Sequence, residues 1–534
     1  MYKVIVTDPI SESGLKALTE HDAFQVEQRV GLEPEVLAEV IGDYDALIVR
    51  SQTQVTRDII QAADRLKVIA RAGVGVDNID IDAATEKGII VINAPAGNTI
   101  AATEHTLAMM LALARNIPQA YGSLTSGKWE RKRFKGVELY QKTLGVVGMG
   151  RIGTEVAKRA KGFQMNILGY DPFLTEDRAK KLGIIKASLD DIAAQADFIT
   201  VHTPLTPETR GLINAEYFEK TKKGVRFINC ARGGIIDEQA LVDAVNSGKV
   251  AGAAIDVFEH EPPETPGLTQ NPRIIVTPHL GASTTEAQEK VAESVSEEIR
   301  DILTSGSVQH AINLPHISAT VKQKIKPYLT LSEQMAELLM QIFKKAPKNI
   351  KINYYGELFL EDTGLLTRQM IKALLSYYLD SSINIVNVMQ VLKAHGLAYS
   401  VQKNAAHKGF TNFIELEIGN GEDKATIACT YLSGFGGRIV SVNGYRLDME
   451  PERYLLYIDH MDVPGMIGNV GSILGKGKIN IGSMYVGRET IGGKAVMVLT
   501  VDKPVPEEIR SDILRINDLN DVQFAEINIE ESVD

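Results

Sequence analysis

The sequence predicts an α/β protein: a core of two lobes built on doubly wound parallel sheets, then an α+β region, then a small βαββαβ unit. Three observations carry this reading. Short β-branched runs alternate with helical stretches from Val4 to Thr277, the pattern of parallel strands joined by crossover helices. One run, Leu144 to Val147, feeds into Gly148, Gly150 and Gly153, a G-x-G-x-x-G turn that opens a helix. From Tyr454 onward the order strand, helix, strand, strand, helix, strand repeats the ferredoxin-like unit.

Size and composition bound the rest. A chain of 534 residues makes about three or four domains of ordinary size. With 44% hydrophobic and 23% charged residues the composition is that of a soluble protein, and no apolar run reaches the length of a membrane span. The net charge of −11 argues against a nucleic-acid partner. Two cysteines, Cys230 and Cys429, make neither a disulfide framework nor a cysteine-rich metal site, so no metal is expected. The N-terminal stretch Met1 to Asp8 already reads as a strand, which leaves no room for a signal peptide and points to the cytoplasm.

In chain order, strands are expected at Val4 to Thr7, Ala46 to Val49, Val68 to Ala70 and Ile89 to Ile92, with a helix over Glu35 to Ile41. Loops at the carboxyl ends of parallel strands hold ligands, and there stand Arg50-Ser51, Ala72 to Asp77 and Asn93 to Asn98. Gly73 and Gly75 lack a third glycine, so they read as a tight loop near substrate rather than a second dinucleotide turn. Asn98 and Thr99 cap a long helix, Ile100 to Ala114, whose second half is too apolar to face water. Gly127 to Phe134, with the only tryptophan, Trp129, reads by itself as a solvated basic run.

The glycine turn gains meaning from the segments beyond it. A helix over Thr154 to Gly162 leads to a strand, Met165 to Asp171, that ends in a carboxylate about twenty residues past the glycines, where the dinucleotide fold places its ribose acceptor. No arginine succeeds Asp171 to hold a 2′-phosphate, which favours NAD over NADP. Further strands end at His202, Cys230, Val257 and Thr277, and their loops converge on the same crevice. Three of the loop residues suit oxidation of an alcohol. His279 is the candidate base, Glu261 the carboxylate that orients it, and Arg232 the bidentate grip on a substrate carboxylate. A helix from Thr285 to about Thr304 should cross back to the first lobe. Residues 1–97 with 290–312 then form the substrate lobe and 98–289 the inserted Rossmann nucleotide lobe, succeeded by 313–451 and 452–534.

Leu144 to Gly153, Tyr170-Asp171-Pro172, His202 to Thr206, Asn229 to Gly234, Phe258 to Pro262 and Pro278 to Thr284 together resemble the D-specific 2-hydroxyacid dehydrogenase family. The resemblance covers nearly the whole chain. It implies catalytic Arg232, Glu261 and His279, a flavodoxin-like substrate lobe, and NAD held by Gly148, Gly150, Arg151, Ile152, Gly153, Asp171 and Thr203. Cys230, Ala231, Arg232, Asp256, His279, Leu280, Gly281 and Ala282 complete the implied cofactor contacts. One departure is Val74, where relatives often carry a threonine that faces the cofactor. Arg50-Ser51, Gly127 to Arg131 and Val463-Pro464-Gly465 resemble the long-form branch of the family that acts on 3-phosphoglycerate.

That branch implies oxidation of 3-phosphoglycerate to 3-phosphohydroxypyruvate, the first step of serine biosynthesis, by a homodimer or homotetramer. Arg50, Ser51, Gly75, Asn98, Trp129, Arg131 and Arg133 would bind substrate, the basic segment by reaching across a dimer. The terminal unit resembles an ACT domain, with His460, Asp462 and Asn480 as contacts for L-serine as effector. Residues 313–451 resemble an intervening domain with Arg438 and Arg446 as anion contacts. A glyoxylate or hydroxypyruvate reductase, another D-2-hydroxyacid dehydrogenase, and a dinucleotide-sensing corepressor are the other readings of the same motifs.

Overall fold

The computed structural model describes residues 1–315, 317–379, 382–406, 409–420 and 423–529. The end of the last expected domain, 530–534, lies outside the described residues.

The first sheet contains β1 (Tyr2–Val6), β2 (Phe24–Gln28), β3 (Ala46–Val49), β4 (Val68–Arg71) and β5 (Ile90–Asn93), all parallel, in the order β2-β1-β3-β4-β5. This is the flavodoxin-like order. Near-continuous apolar runs such as Ala46–Val49, buried at every position, are what a parallel sheet covered on both faces demands. The second sheet holds β6 (Thr143–Val147), β7 (Asn166–Tyr170), β8 (Ile185–Lys186), β9 (Phe198–Val201), β10 (Val225–Asn229), β11 (Val250–Ile255) and β12 (Ile274–Val276). Its order, β12-β11-β10-β9-β6-β7-β8, reverses between β6 and β9. That reversal opens the crevice in which doubly wound folds bind dinucleotides.

Helix Thr99–Arg115 packs Leu107, Met109, Met110 and Leu113 into the core of the second lobe. Helix Thr285–Ser305 returns to the first lobe, where Val291, Val295, Ile299 and Leu303 join the core of Val4, Val6 and Val68. The two crossings between lobes touch, since a Cβ on Gly97 would meet Val291 backbone nitrogen at 3.1 Å. Two expectations need correction. The helix after the glycine turn begins at Arg151, not Thr154, because Gly150 is itself the N-cap, and it ends at Ala160. Asn98 stands at the N-cap of Thr99–Arg115 but makes no side-chain cap bond.

The third sheet runs β14 (Ala398–Asn404), β13 (Asn349–Gly356), β15 (Asn412–Asn420), β16 (Asp423–Leu432), β17 (Gly436–Val442) and β18 (Tyr445–Met449), antiparallel except for the β13–β14 pair. Helix Ala319–Phe343 covers it. Arg438, expected as an anion contact, is instead paired with Asp448 at 3.6 Å and Glu450 at 3.1 Å, so its charge is already met.

The fourth sheet, β20 (Ile481–Arg488), β21 (Lys494–Val501), β19 (Tyr454–Met461) and β22 (Leu519–Glu526), has the strand order of the ferredoxin-like unit. Its helices Met466–Lys476 and Glu507–Leu514 lie over one face, with Val470, Leu474 and Ile513 buried beneath them. The other face is not free: Leu455, Tyr457, Val496, Val498, Ala525 and Ile527 share one core with helix Ala319–Phe343 and the third sheet. Gln334, Glu337 and Gln341 on one face of that helix bond the backbone at Glu526 and Asn528. The expected division at 451/452 is therefore not a break in packing. Truncation after Glu450 is expected to expose this core and give an aggregating protein, a result size-exclusion chromatography would show. A monodisperse, stable truncate would count against the shared core. Among the described residues no helix is long and apolar enough to cross a membrane.

Candidate active site

The three glycines of the turn have separate tasks. Gly148 has a φ of +97°, and a Cβ there would stand 2.6 Å from the backbone oxygen of His202. A Cβ on Gly153 would collide with the backbone oxygen of Gly148. Gly150 is different, for a Cβ there meets nothing within 4 Å and its backbone lies open for a ligand to approach. Gly150→Val is thus expected to weaken NADH binding about tenfold or more while leaving the melting temperature nearly unchanged, and Gly153→Ala to cost about 1–3 kcal/mol of stability. Fluorescence titration and thermal melts separate the two, and a Gly150→Val protein that binds NADH normally would refute the assignment.

Around the turn, Arg151 donates to the Pro95 carbonyl at 3.1 Å and so ties the glycine turn to the other lobe. Asp171 accepts from the Met149 N–H at 2.9 Å and the Phe173 N–H at 2.8 Å, which aims its carboxylate at the rim of the turn. Between the lobes lies a crevice of about 430 Å³. It is lined by Val74, Gly75, Asn98, Arg151, Ile152, Thr203, Cys230, Ala231, Arg232, His279, Gly281 and Ala282. Thr203 Oγ1 and Asn98 Oδ1 are buried there with no hydrogen-bond partner in the protein. Orphaned polar atoms beside an open glycine backbone and a helix N-terminus fit a dinucleotide.

Arg232 and His279 both line the crevice, and Glu261 bonds the His279 ring. His279 Nδ1 lies 2.8 Å from Glu261 Oε2 and 3.1 Å from Oε1. Burial pushes the Glu261 carboxyl up, but the hydrogen bond and charge of His279 with the Phe258 N–H outweigh it and the net direction is down. Glu261 is therefore an anion beside the ring. His279 has φ of +55°, a left-handed backbone uncommon for a side-chain-bearing residue. Arg232 pairs with Asp77 at 3.3 Å, and its guanidinium reaches the Gly75 backbone where any Cβ would collide with it. His202, on the crevice wall, is pushed down to about 4 by burial and stays neutral. Burial likewise keeps the Cys230 thiol protonated.

Some expected contacts fall elsewhere. Asp256 is fully buried and does not line the crevice. Its oxygens are taken by Thr277 Oγ1 at 2.5 Å and the N–H groups of Leu280 and Gly281 at 2.8 Å. Leu280 turns outward, 40% exposed. Trp129 and Arg131 lie on a separate surface with Leu124 and Phe134, and Arg133 pairs with Glu130 of the same surface at 3.2 Å, so none of the three lines the crevice of its own chain. Arg50 and Ser51 stand outside its lining, with Arg50 Nη1 on the Pro9 carbonyl at 3.3 Å. In the terminal unit Asp462 accepts from Arg488 at 3.0 Å and the Gly492 N–H at 3.1 Å, which hold its carboxyl below the usual range. His460 Nδ1 bonds the Met461 carbonyl while Nε2 is buried without a partner, and the Asn480 side chain is exposed.

Two residues escaped the sequence. Arg71 ends β4, bonds the Gly75 carbonyl and the Arg50 carbonyl, and has its pKa lowered by burial and by Arg232 beside it. Its place at the carboxyl end of a strand was the available signal. His105, a lone histidine on an apolar helix, gave none, yet its Nε2 lies 3.1 Å from Asp256.

Comparison with known proteins agrees with this geometry. A family model described as D-isomer specific 2-hydroxyacid dehydrogenase, NAD binding domain, matches residues 107–281. Others, described as D-3-phosphoglycerate dehydrogenase intervening domain and ACT domain, match 324–443 and 454–518. The D-3-phosphoglycerate dehydrogenase of Bacillus subtilis is 45% identical over 99% of this chain and 100% of its own, and that of Methanocaldococcus jannaschii is also 45% identical over 99% and 100%. An NAD+-bound 3-phosphoglycerate dehydrogenase structure from Entamoeba histolytica is 30% identical with a TM-score of 0.51, covering 58% of this chain and 98% of that one. A glyoxylate reductase structure from Paecilomyes thermophila is 32% identical with a TM-score of 0.54 over the same shares. The chain, an NAD-dependent dehydrogenase by these matches and its crevice, belongs to the D-3-phosphoglycerate dehydrogenase family of D-isomer specific 2-hydroxyacid dehydrogenases.

Proposed function

We propose that the chain oxidises D-3-phosphoglycerate to 3-phosphohydroxypyruvate with NAD, the first step of serine biosynthesis, and that L-serine regulates it. The observation that carries this reading is the meeting of the Glu261–His279 pair with two guanidiniums, Arg232 and Arg71, beside the glycine turn. Bound in the crevice, NAD supplies a two-electron acceptor for the hydroxyl-bearing carbon. With Nδ1 committed to Glu261, His279 has Nε2 free to take the hydroxyl proton, and the carboxylate stabilises the imidazolium that forms. Arg232 grips the substrate carboxylate and steadies the emerging carbonyl. Arg71, with Arg50 next to it, supplies cationic charge for the phosphate.

Gly148, Gly150 and Gly153 with Arg151, Ile152, Asp171 and Thr203 hold the cofactor in this scheme. In this reading residues 1–97 with 290–312 bind substrate and 98–289 bind the cofactor, while 313–451 and 452–534, which share a core, act as one packed regulatory body. Ile117, Tyr121 and Leu124 on helix Ile117–Thr125 and Trp129 beyond it are all more than half exposed, an apolar surface suited to a second copy of the chain. Joining there would bring Arg131 and Arg133 toward a partner's substrate. Cys230 and Cys429, free and buried, suit a reducing compartment such as the cytoplasm.

NADH formation with 3-phosphoglycerate, set against unphosphorylated D-glycerate, tests the reading. Arg71→Ala is expected to raise KM for the phosphorylated acid about tenfold or more and to leave the unphosphorylated acid little changed. Equal losses on both would remove the phosphate assignment. For the effector, L-serine is expected to raise the melting temperature of the wild-type protein and to lower its rate, effects that Asp462→Ala abolishes. A wild-type protein indifferent to millimolar serine would refute the regulatory part alone.

A further inference from the structure

Three neighbouring strands of the first sheet, β1, β3 and β4, end side by side, and at their carboxyl ends stand Asp8, Arg50 and Arg71. Asp8 is 1% exposed. A carboxylate out of water needs donors, and this one takes them from the loop that leaves β3. Its Oδ2 accepts from the N–H groups of Arg50 at 2.5 Å and Gln52 at 3.2 Å, and its Oδ1 from the Thr53 N–H at 3.1 Å and the Thr53 hydroxyl at 2.6 Å. Residues 50–53 are thus wrapped round one buried anion.

The wrap is passed on to the cations. With its N–H on Asp8, Arg50 turns its carbonyl to Arg71 Nε at 3.1 Å and Asn78 Nδ2 at 2.9 Å. Asn78 Nδ2 also donates to the Thr53 carbonyl at 2.6 Å, which ties the loop from its other end. The Arg50 side chain rests on the residue after Asp8, with Nη1 donating to the Pro9 carbonyl at 3.3 Å. Both guanidiniums are therefore referred to Asp8, Arg50 through its own backbone and Arg71 through the Arg50 carbonyl. Burial lowers the Arg71 pKa first and the charge of Arg232 next; Asp77 and Asp8 oppose them, and Arg50 adds to the lowering. Asp8 thus offsets part of the repulsion among the cations whose places it sets.

We propose that Asp8 is a positioning residue for phosphate recognition: by holding the 50–53 loop through its N–H groups it decides where Arg50 and Arg71 stand. This rests on those two arginines meeting the phosphate of the substrate. Asp8 acts only through them, so its loss is one of phosphate recognition and not of chemistry.

The test uses the full-length protein and sets 3-phosphoglycerate against D-glycerate. Asp8→Asn keeps the shape but turns an NH2 group on N–H donors, so part of the wrap is lost. It is expected to raise KM for 3-phosphoglycerate about tenfold or more, with kcat, NADH affinity and kcat/KM for D-glycerate changed by less than about threefold. Thr53→Val, which removes only the hydroxyl, is expected to raise the same KM about threefold or more, while Thr53→Ser, which keeps it, stays within about twofold of wild type. In the background of Arg50→Ala with Arg71→Ala, Asp8→Asn is expected to add no further rise, because nothing is left to position. Should Asp8→Asn fail to fold by thermal melt, the Thr53 pair is read in its place. Wild-type KM in a folded Asp8→Asn, equal losses on both acids, equal effects of Thr53→Val and Thr53→Ser, or a multiplicative loss in the double-arginine background would each overturn the proposal. If the double-arginine variant itself loses both acids equally, the phosphate assignment falls, and the role of Asp8 with it.

Discussion

His279→Gln is expected to lower kcat about a thousandfold while NADH binding and the melting temperature stay close to wild type, since general-base removal costs about 10²–10⁴. The ring is 43% exposed by its side chain and packs little, so the loss is chemical rather than structural. Glu261→Gln should lose less, about ten- to a hundredfold, because the amide still holds the ring but offers no charge to the imidazolium. The sign of the Glu261 shift sets the pH dependence. Its carboxyl is held below the ordinary range in the folded protein, so the stability it contributes is present at neutral pH and is lost as pH falls through that lowered pKa. Thermal melts of wild type and Glu261→Gln should therefore converge in acid. A difference that persists or grows in acid would refute the role of the pair.

Arg232→Lys is expected to raise KM for the hydroxyacid about tenfold or more and to lower kcat by a similar factor, despite the retained charge. A lysine ammonium is a point charge, whereas the guanidinium offers parallel N–H groups matched to a planar carboxylate. It also stands against the Gly75 backbone and within reach of Asp77, a setting cut to its shape. Steady-state kinetics on Arg232→Lys, with NADH affinity measured separately, decides this. An unchanged KM would mean that the carboxylate is held elsewhere, and Arg71 would be the next candidate.

Much of this was legible in residues. The G-x-G-x-x-G spacing, the carboxylate at Asp171 and the polar ends of successive strands each reflect a backbone constraint that leaves few alternatives, so the crevice and its Arg232, Glu261 and His279 emerge from order alone. What escaped were contacts made by packing. Arg71 becomes a site residue only because the Gly75 loop folds over it, and His105 only because its helix lies across the end of β11. Asp256 is a cofactor contact by the family resemblance, and what the order of residues did not reveal is that the loop beyond it turns back and donates to both of its oxygens. The shared core of the last two units was hidden for a similar reason: the alternation of Leu455 and Tyr457 says that a face is covered, not by what.

The touching crossings between the lobes have a mechanical meaning. Two connections set side by side, Gly97 against Val291, are placed like paired pins on one axle, so that any closure of the lobes would turn about that line rather than twist across it. A swing of that kind would open and shut the mouth without disturbing either sheet, carrying His279 and Arg232 on one lobe toward Arg71 on the other along a fixed path. A bulky side chain at position 97 would jam the axle rather than alter the jaws, slowing turnover in a protein whose every reacting group is intact.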